Sequence, residues 1–190
     1  IIAFWGAPLD LPDHATVACY AAIEMQQRNE EMRQMLREQN RPLLFTRMGL
    51  NSGPVVVGNM GSADRMDYTM MGDVVNLAAR LEGANKFYKT FTMVSGSTYE
   101  LAKDDIDSRQ LDIIRVVGKK EPVHVYEVLA RKNETGSEMS GVVEQYLKGL
   151  KLYQDRNFAD AVKEFEKVLD IDQEDGPSLT YVKRCGVFLE

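Results

Sequence analysis

Residues 47–82 read RMGLNSGPVVVGNMGSADRMDYTMMGDVVNLAARLE, and the rest of the chain is placed by its relation to this stretch. An apolar run ends in Asn51-Ser52-Gly53-Pro54, and a β-branched run over residues 55–57 follows, with glycines at Gly58 and Gly61. Turn residues between two apolar runs predict a hairpin whose strands cover residues 43–50 and 55–60. A third run, residues 66–71, reaches Gly72-Asp73, and the Asp73 carboxylate is expected to cap the free amides of a helix that starts there.

Four residues separate Asn76 from Arg80 and three more lead to Gly83, so all three share one helix face. Val74, Leu77, Ala78 and Leu81 fill the opposite face, which is the core side. By itself an amide and a guanidinium at this spacing is ordinary solvated helix surface, because exposed pairs contribute little. The segment from Gly58 to Arg65 has no Gly-Lys-Ser/Thr ending, which rules out a phosphate-cradling P-loop.

At 190 residues the chain has room for one ordinary core and a small appendage. A formal net charge of −6 leaves no broad basic surface, which argues against nucleic acid as a partner. The longest apolar stretches are strand-sized, so no membrane contact is expected within these residues, and no basic segment followed by an apolar one directs secretion. A cytoplasmic location is expected, with any membrane anchor left to upstream segments of a parent protein. Cys19 and Cys185 lie far apart, lack metal-ligand spacing and fit a reducing compartment as small apolar residues.

Residues 13–39 repeat Ala15, Ala18, Ala22, Met25, Met32 and Leu36 at three- and four-residue spacing, predicting a long helix whose charged far end, residues 28–40, projects into solvent. Residues 91–94 read as a strand, Ser95 as the cap of a short helix through Ala102, and residues 113–117 and 123–129 as the last two strands. Alternating helices and strands make the first part, residues 1–130, an α+β domain. Residues 131–140 are polar and read as a linker. Residues 141–190 carry three helical patterns, with Gly149, Ala161 and Phe165 where a tetratricopeptide repeat (TPR) places its packing residues. One such unit cannot bury its own face, so this TPR-like tail is expected to rest on the first domain, on a second chain or on further repeats.

In this order, the glycine-bounded runs, Tyr68-Thr69, Gly72-Asp73, Val75-Asn76 and Arg80-Leu81-Glu82 resemble the class III adenylyl/guanylyl cyclase catalytic domain, from Ile1 to about Ala130. The resemblance implies a ferredoxin-like core and an adenylate cyclase that converts ATP to 3',5'-cyclic AMP and pyrophosphate with two Mg or Mn ions. It implies catalytic roles for Asn76, which would orient the ribose, and for Arg80, which would stabilise charge on the α-phosphoryl group. Thr69 falls where adenylyl enzymes carry Asp or Thr and guanylyl enzymes usually carry Cys, which favours ATP, although threonine also suits a strand on steric grounds alone. Lys119 and Lys120 lie in a segment similar to the family's Val-Lys-Gly-Lys motif, from which a lysine reaches the terminal phosphates. Val117 occupies the motif's first lysine position, and His124 stands near where some relatives place the phosphate lysine.

Family members also carry a Gly-Asp pair, a further aspartate and an adenine-contacting lysine upstream of a segment like IIAFWGAP, with which this sequence opens. The chain is therefore expected to be an incomplete fragment, to hold no metal ligand of its own and to be inactive alone. A head-to-tail homodimer is implied as well, with residues 61–68 as the arm that crosses to the partner. Two alternatives stay open: a cyclase-homology module that has lost catalysis and serves dimerisation or scaffolding, and a guanylate cyclase.

Overall fold

The computed structural model describes residues 1–62, 65–115 and 121–189. In chain order the elements are α1 (His14–Glu38), β1 (Met48–Leu50), β2 (Val56–Ser62), β3 (Arg65–Met71), α2 (Asp73–Tyr88), β4 (Thr92–Ser95), α3 (Gly96–Ala102), β5 (Ile106–Ile114), β6 (Val123–Arg131), α4 (Ser137–Gln154), α5 (Phe158–Ile171) and α6 (Gly176–Leu189). The fold is α+β. A mixed sheet runs in the order β1-β4-β6-β5, and β2 and β3 form a separate two-stranded ribbon.

The hairpin is displaced from the expected one. Residues 43–50 do not pair with 55–60; β1 instead pairs parallel with β4, Met48 opposite Thr92 and Leu50 opposite Val94. The turn-like Asn51-Ser52 does not reverse the chain because its polar groups are engaged elsewhere. Asn51 Nδ2 donates to Val74 O at 2.9 Å, Asn51 Oδ1 accepts from Ser95 Oγ at 2.6 Å, and Ser97 Oγ donates to Ser52 O at 3.0 Å. The antiparallel ribbon is β2 with β3, from Val56 opposite Met71 to Ser62 opposite Arg65. Two parallel strands need a crossover connection, and the ribbon and α2 supply it between β1 and β4.

Successive residues of a strand face opposite sides of the sheet, and adjacent Met93 and Val94 divide the core accordingly. On one side Val94, Ile106 and Val128 pack with Ala15, Cys19 and Ile23 of α1 and Ala102 of α3. On the other, Met93, Leu111 and Val125 pack with Leu77, Leu81 and Tyr88 of α2. Burial pushes the Cys19 thiol up to about 12, so it stays protonated and serves as the apolar residue the sequence suggests. The cap on α3 is the expected one, Ser95 Oγ accepting from Thr98 N at 3.3 Å.

The far end of α1 is largely exposed, as expected, and departs from expectation at Arg33. Arg33 is buried, its guanidinium over the rings of Phe45 and Phe91, so this part of the helix covers the approach to β1 instead of projecting freely.

Strand β5 begins at Ile106, well before the expected residues 113–117. Its polar run hides the alternation because Arg109, only 4% exposed, is satisfied internally, Nε donating to Glu127 at 2.7 Å and Nη1 to Asp175 at 2.6 Å. A register shift between Gln110 and Asp112 leaves Leu111 as the extra residue of a bulge.

Helices α4 to α6 build a third cluster around Tyr146, Phe165 and Tyr181. Of the three expected resting places, the helices occupy the first. They lie along β5, the edge strand, where the hydroxyls of Tyr146 and Tyr181 both donate to Leu111 O, at 3.2 and 2.8 Å. Covering an edge strand removes a template for unwanted pairing. The first of these helices starts at Ser137, inside the stretch expected to be linker.

Replacing Arg109 by Leu leaves Glu127 and Asp175 buried without their cation, and should cost on the order of 3–5 kcal/mol of folding stability. Denaturant unfolding of Arg109→Leu beside the parent chain measures it, and an unchanged midpoint would contradict the assigned role of the guanidinium.

Candidate active site

The candidate site is the outer face of α2 and the strand that feeds it. Leu77 and Leu81 are buried on the sheet side while Asn76, Arg80 and Gly83 are exposed, so the two faces fall where the spacing puts them. The helix start is shifted by one residue from expectation: Gly72 is the N-cap and Asp73 the first helical residue, with no side-chain cap bond. Asp73 still places a carboxylate beside the positive end of the helix. Arg80 lies four residues beyond Asn76, about 6 Å along the axis, so the amide and the guanidinium sit one turn apart.

Thr69 is half-buried on β3, opposite Gly58 of β2, and the ribbon delivers it directly to Gly72 and the start of α2. Its neighbour Tyr68 is exposed, with its ring 6.1 Å from that of Phe4. The structure thus brings Thr69, Asn76 and Arg80 onto one continuous ribbon-to-helix unit. Lys119 and Lys120 lie outside the described residues, as does Val117. His124 is exposed on β6, opposite Ile113.

Three residues that carry no chemistry of their own hold this unit in place. A Cβ on Gly49 would fall 2.2 Å from Ala78 O and 2.2 Å from Glu82 N, so β1 and α2 meet backbone against backbone and only glycine fits between them. Asn85, buried in α2, donates from Nδ2 to Met48 O at 2.9 Å and accepts at Oδ1 from Thr90 Oγ1 at 2.9 Å, tying the helix to β1 and to the following turn. Asn51 holds the other end through Val74 O. Sequence reasoning passed over all three, yet two carried a signal. Asparagine is a poor choice inside a helix unless its amide is used, and glycine inside a strand marks a close backbone approach.

An always-charged planar guanidinium on a rigid helix suits a phosphoryl group, and an amide one turn away can donate or accept toward a neighbouring hydroxyl. Among the described residues no group of three or more His, Cys, Asp or Glu side chains converges to hold a metal ion. The described residues therefore do not fit a Mg or Mn pair.

Residues 2–130 match the family described as the adenylate and guanylate cyclase catalytic domain. The chain is 37% identical over 129 residues to adenylate cyclase 1 of Rhizobium meliloti, covering 68% of this chain and 19% of that protein. It is 33% identical over 144 residues to the terminal-differentiation-specific adenylate cyclase of Dictyostelium discoideum, covering 74% and 7% respectively. The chain thus spans a fifth or less of the length of these two relatives. Among solved structures, the adenylyl cyclase CyaB from P. aeruginosa superposes with a TM-score of 0.60 at 34% identity, over 70% of this chain and 68% of that one. The guanylyl cyclase Cya2 gives 0.58 at 31%, over 70% and 66%.

Gly49→Ala forces two backbones apart, and Asn85→Ala strips Met48 O and the Thr90 hydroxyl of their partner. Each should lower stability by about 1–3 kcal/mol. Thermal or denaturant unfolding reads the loss, and a parent-like midpoint in both variants would remove Gly49 and Asn85 as anchors of α2.

Proposed function

This chain belongs to the family of adenylate and guanylate cyclase catalytic domains, and from that premise we propose that it is the catalytic domain of an adenylate cyclase, converting ATP to 3',5'-cyclic AMP and pyrophosphate. The observation that carries the proposal is the outward presentation of Asn76 and Arg80 on a helix whose back is locked to the sheet, with Thr69 at its entry. Cyclisation needs the ribose 3'-hydroxyl to attack the α-phosphorus while pyrophosphate leaves in line, so a protein accelerates it mostly by positioning and by meeting developing charge.

In this assignment Arg80 meets the charge that grows on the α-phosphoryl oxygens, and Asn76 holds the ribose so that its 3'-oxygen points at phosphorus. Thr69 offers its hydroxyl to the adenine edge. Lys119 and Lys120 take the terminal phosphates.

Two such domains would pair head to tail, each site drawing its metal ligands from one chain and its Asn76/Arg80 pair from the other, with residues 61–68 as the crossing arm. The exposed apolar side chains Val56, Met66 and Tyr68 on the ribbon support an interface there. Helices α4 to α6, from Ser137 to Leu189, are read as a TPR-like unit that follows this domain. A cytoplasmic site of action is in keeping with the absence, among the described residues, of any helix long and apolar enough to cross a membrane.

Cyclic nucleotide formation from ATP and from GTP, with Mn, is the test, in the natural full-length protein and its Arg80→Ala variant. The parent should make cyclic AMP in preference to cyclic GMP, and Arg80→Ala should lose on the order of a hundredfold or more in turnover, as when other transition-state donors are removed. Preference for GTP would move the assignment to guanylate cyclase. No product from either nucleotide by a folded dimer would leave a scaffold module, and an unchanged rate in Arg80→Ala would end the role of Arg80.

A further inference from the structure

We propose that the helical tail is a further support of the Asn76/Arg80 helix, with Arg184 of α6 as the positioning residue that couples the two; for its catalytic consequence this rests on the cyclase assignment above. The C-terminal turn of a helix has carbonyls without intrahelical partners, and here the tail occupies that turn. A Cβ on Gly176, the first residue of α6, would lie 2.1 Å from Tyr88 O and 2.5 Å from Lys89 Cβ, so only glycine fits against the end of α2. The Thr180 hydroxyl lies 2.9 Å from Phe87 O and also 2.9 Å from Gly176 O, and its one proton can serve the end of α2.

A closed polar network then joins three elements. Arg184 Nη1 donates to Asp112 Oδ2 at 2.5 Å, Tyr88 Oη donates to the same oxygen at 2.6 Å, and Arg184 Nη2 donates to Tyr88 Oη at 3.2 Å. Asp112 is on β5, Tyr88 on α2 and Arg184 on α6. Burial, with the Asp112 carboxylate beside it, holds the Tyr88 phenol well above its ordinary range, so Tyr88 remains a donor at any physiological pH. The guanidinium also lies over the Tyr88 and Tyr181 rings.

The tail has its own anchorage, independent of α2. Asp175, 3% exposed, accepts from Arg109 Nη1 on one oxygen and from Ser178 N on the other at 2.9 Å, pinning the start of α6 to β5. The position of α6 is therefore set by the sheet, and through Arg184 it adds to the hold that Asp112 of β5 has on Tyr88. Tyr88 stands eight residues beyond Arg80, about 12 Å along one uninterrupted helix, and a rigid helix passes a shift at one end to the other. Asn51 and Asn85 hold α2 from within the matched residues 2–130, whereas Arg184 lies outside them. The catalytic helix thus takes one of its supports from a part of the chain that the family match does not include, and loosening α6 would loosen Arg80.

The test is Arg184→Leu in the natural full-length protein, with Arg184→Lys and Tyr88→Phe beside it, read by hydrogen exchange over residues 73–88 and by kcat and KM. In Arg184→Leu, exchange over 73–88 should rise about tenfold, and kcat should fall about tenfold with KM changed less than about twofold, since a misplaced transition-state group costs turnover and not binding. Arg184→Lys, which keeps a cation against Asp112, should recover at least half of the lost turnover. Tyr88→Phe, which loses the bonds of its hydroxyl to both Asp112 and Arg184, should shift both readouts in the same direction, and Arg184→Gln, which leaves the Tyr88–Asp112 bond in place, carries the test should Arg184→Leu fail to fold. A rise in exchange confined to α6, or a parent-like kcat in folded variants, would overturn the coupling. Should the parent make no cyclic nucleotide, the cyclase assignment fails on its own and exchange over 73–88 decides the coupling: a rise sustains it and parent-like exchange ends it.

Discussion

The backbone contact between β1 and α2 at Gly49 is the constraint on which the site depends. At that point the strand and the helix are closer than any side chain allows, so the height of α2 above the sheet is fixed by hard-sphere repulsion and not by an adjustable packing layer. Asn85 then fixes its rotation, because its amide must reach Met48 O and its carbonyl must accept from Thr90 at the same time. With height and rotation both set, the face carrying Asn76 and Arg80 has one orientation. Phosphoryl chemistry that works by positioning needs that property above others.

Charge contributes in proportion to burial. The exposed pair on α5, Lys163 with Asp160, lies in solvent and is screened, and it does little beyond keeping the helix soluble. Arg109 differs in kind. It is enclosed between Glu127 and Asp175, with the Tyr146 ring 5.2 Å away, where an unpaired charge is expensive and a misplaced partner is not tolerated. Such a group specifies where the tail must sit, since only docking at β5 supplies the second carboxylate. Leu111 O, released from the ladder by the bulge and taken up by two tyrosine hydroxyls, specifies the same placement.

What the sequence revealed and what it hid divide by range. The long first helix, the two faces of α2, the Ser95 cap and the three tail helices rest on contacts between residues a few positions apart, and periodicity or capping chemistry marks each of them. The pairing of β1 with β4 was hidden because Asn51-Ser52-Gly53-Pro54 has the composition of a turn, while its actual partners, Val74, Ser95 and Ser97, lie far along the chain. Most of β5 was hidden for the same reason, since Arg109 reads as a surface residue until Asp175, 66 positions away, is placed beside it. At the site, Asn76, Arg80 and Thr69 were legible from their order within residues 47–82, whereas the anchors Gly49, Asn51 and Asn85 became visible only with the helix in place. Lys119 and Lys120 rest on the motif alone.

The central claim is that the outer face of α2 meets the triphosphate at its α-phosphoryl group. A crystal structure of the natural full-length protein with a non-cyclisable ATP analogue tests it most directly. The account predicts the Arg80 guanidinium within hydrogen-bond distance of an α-phosphoryl oxygen, Asn76 against the ribose, and the adenine edge at Thr69. An analogue bound elsewhere, with the Asn76/Arg80 face bare in a folded dimer, would contradict it.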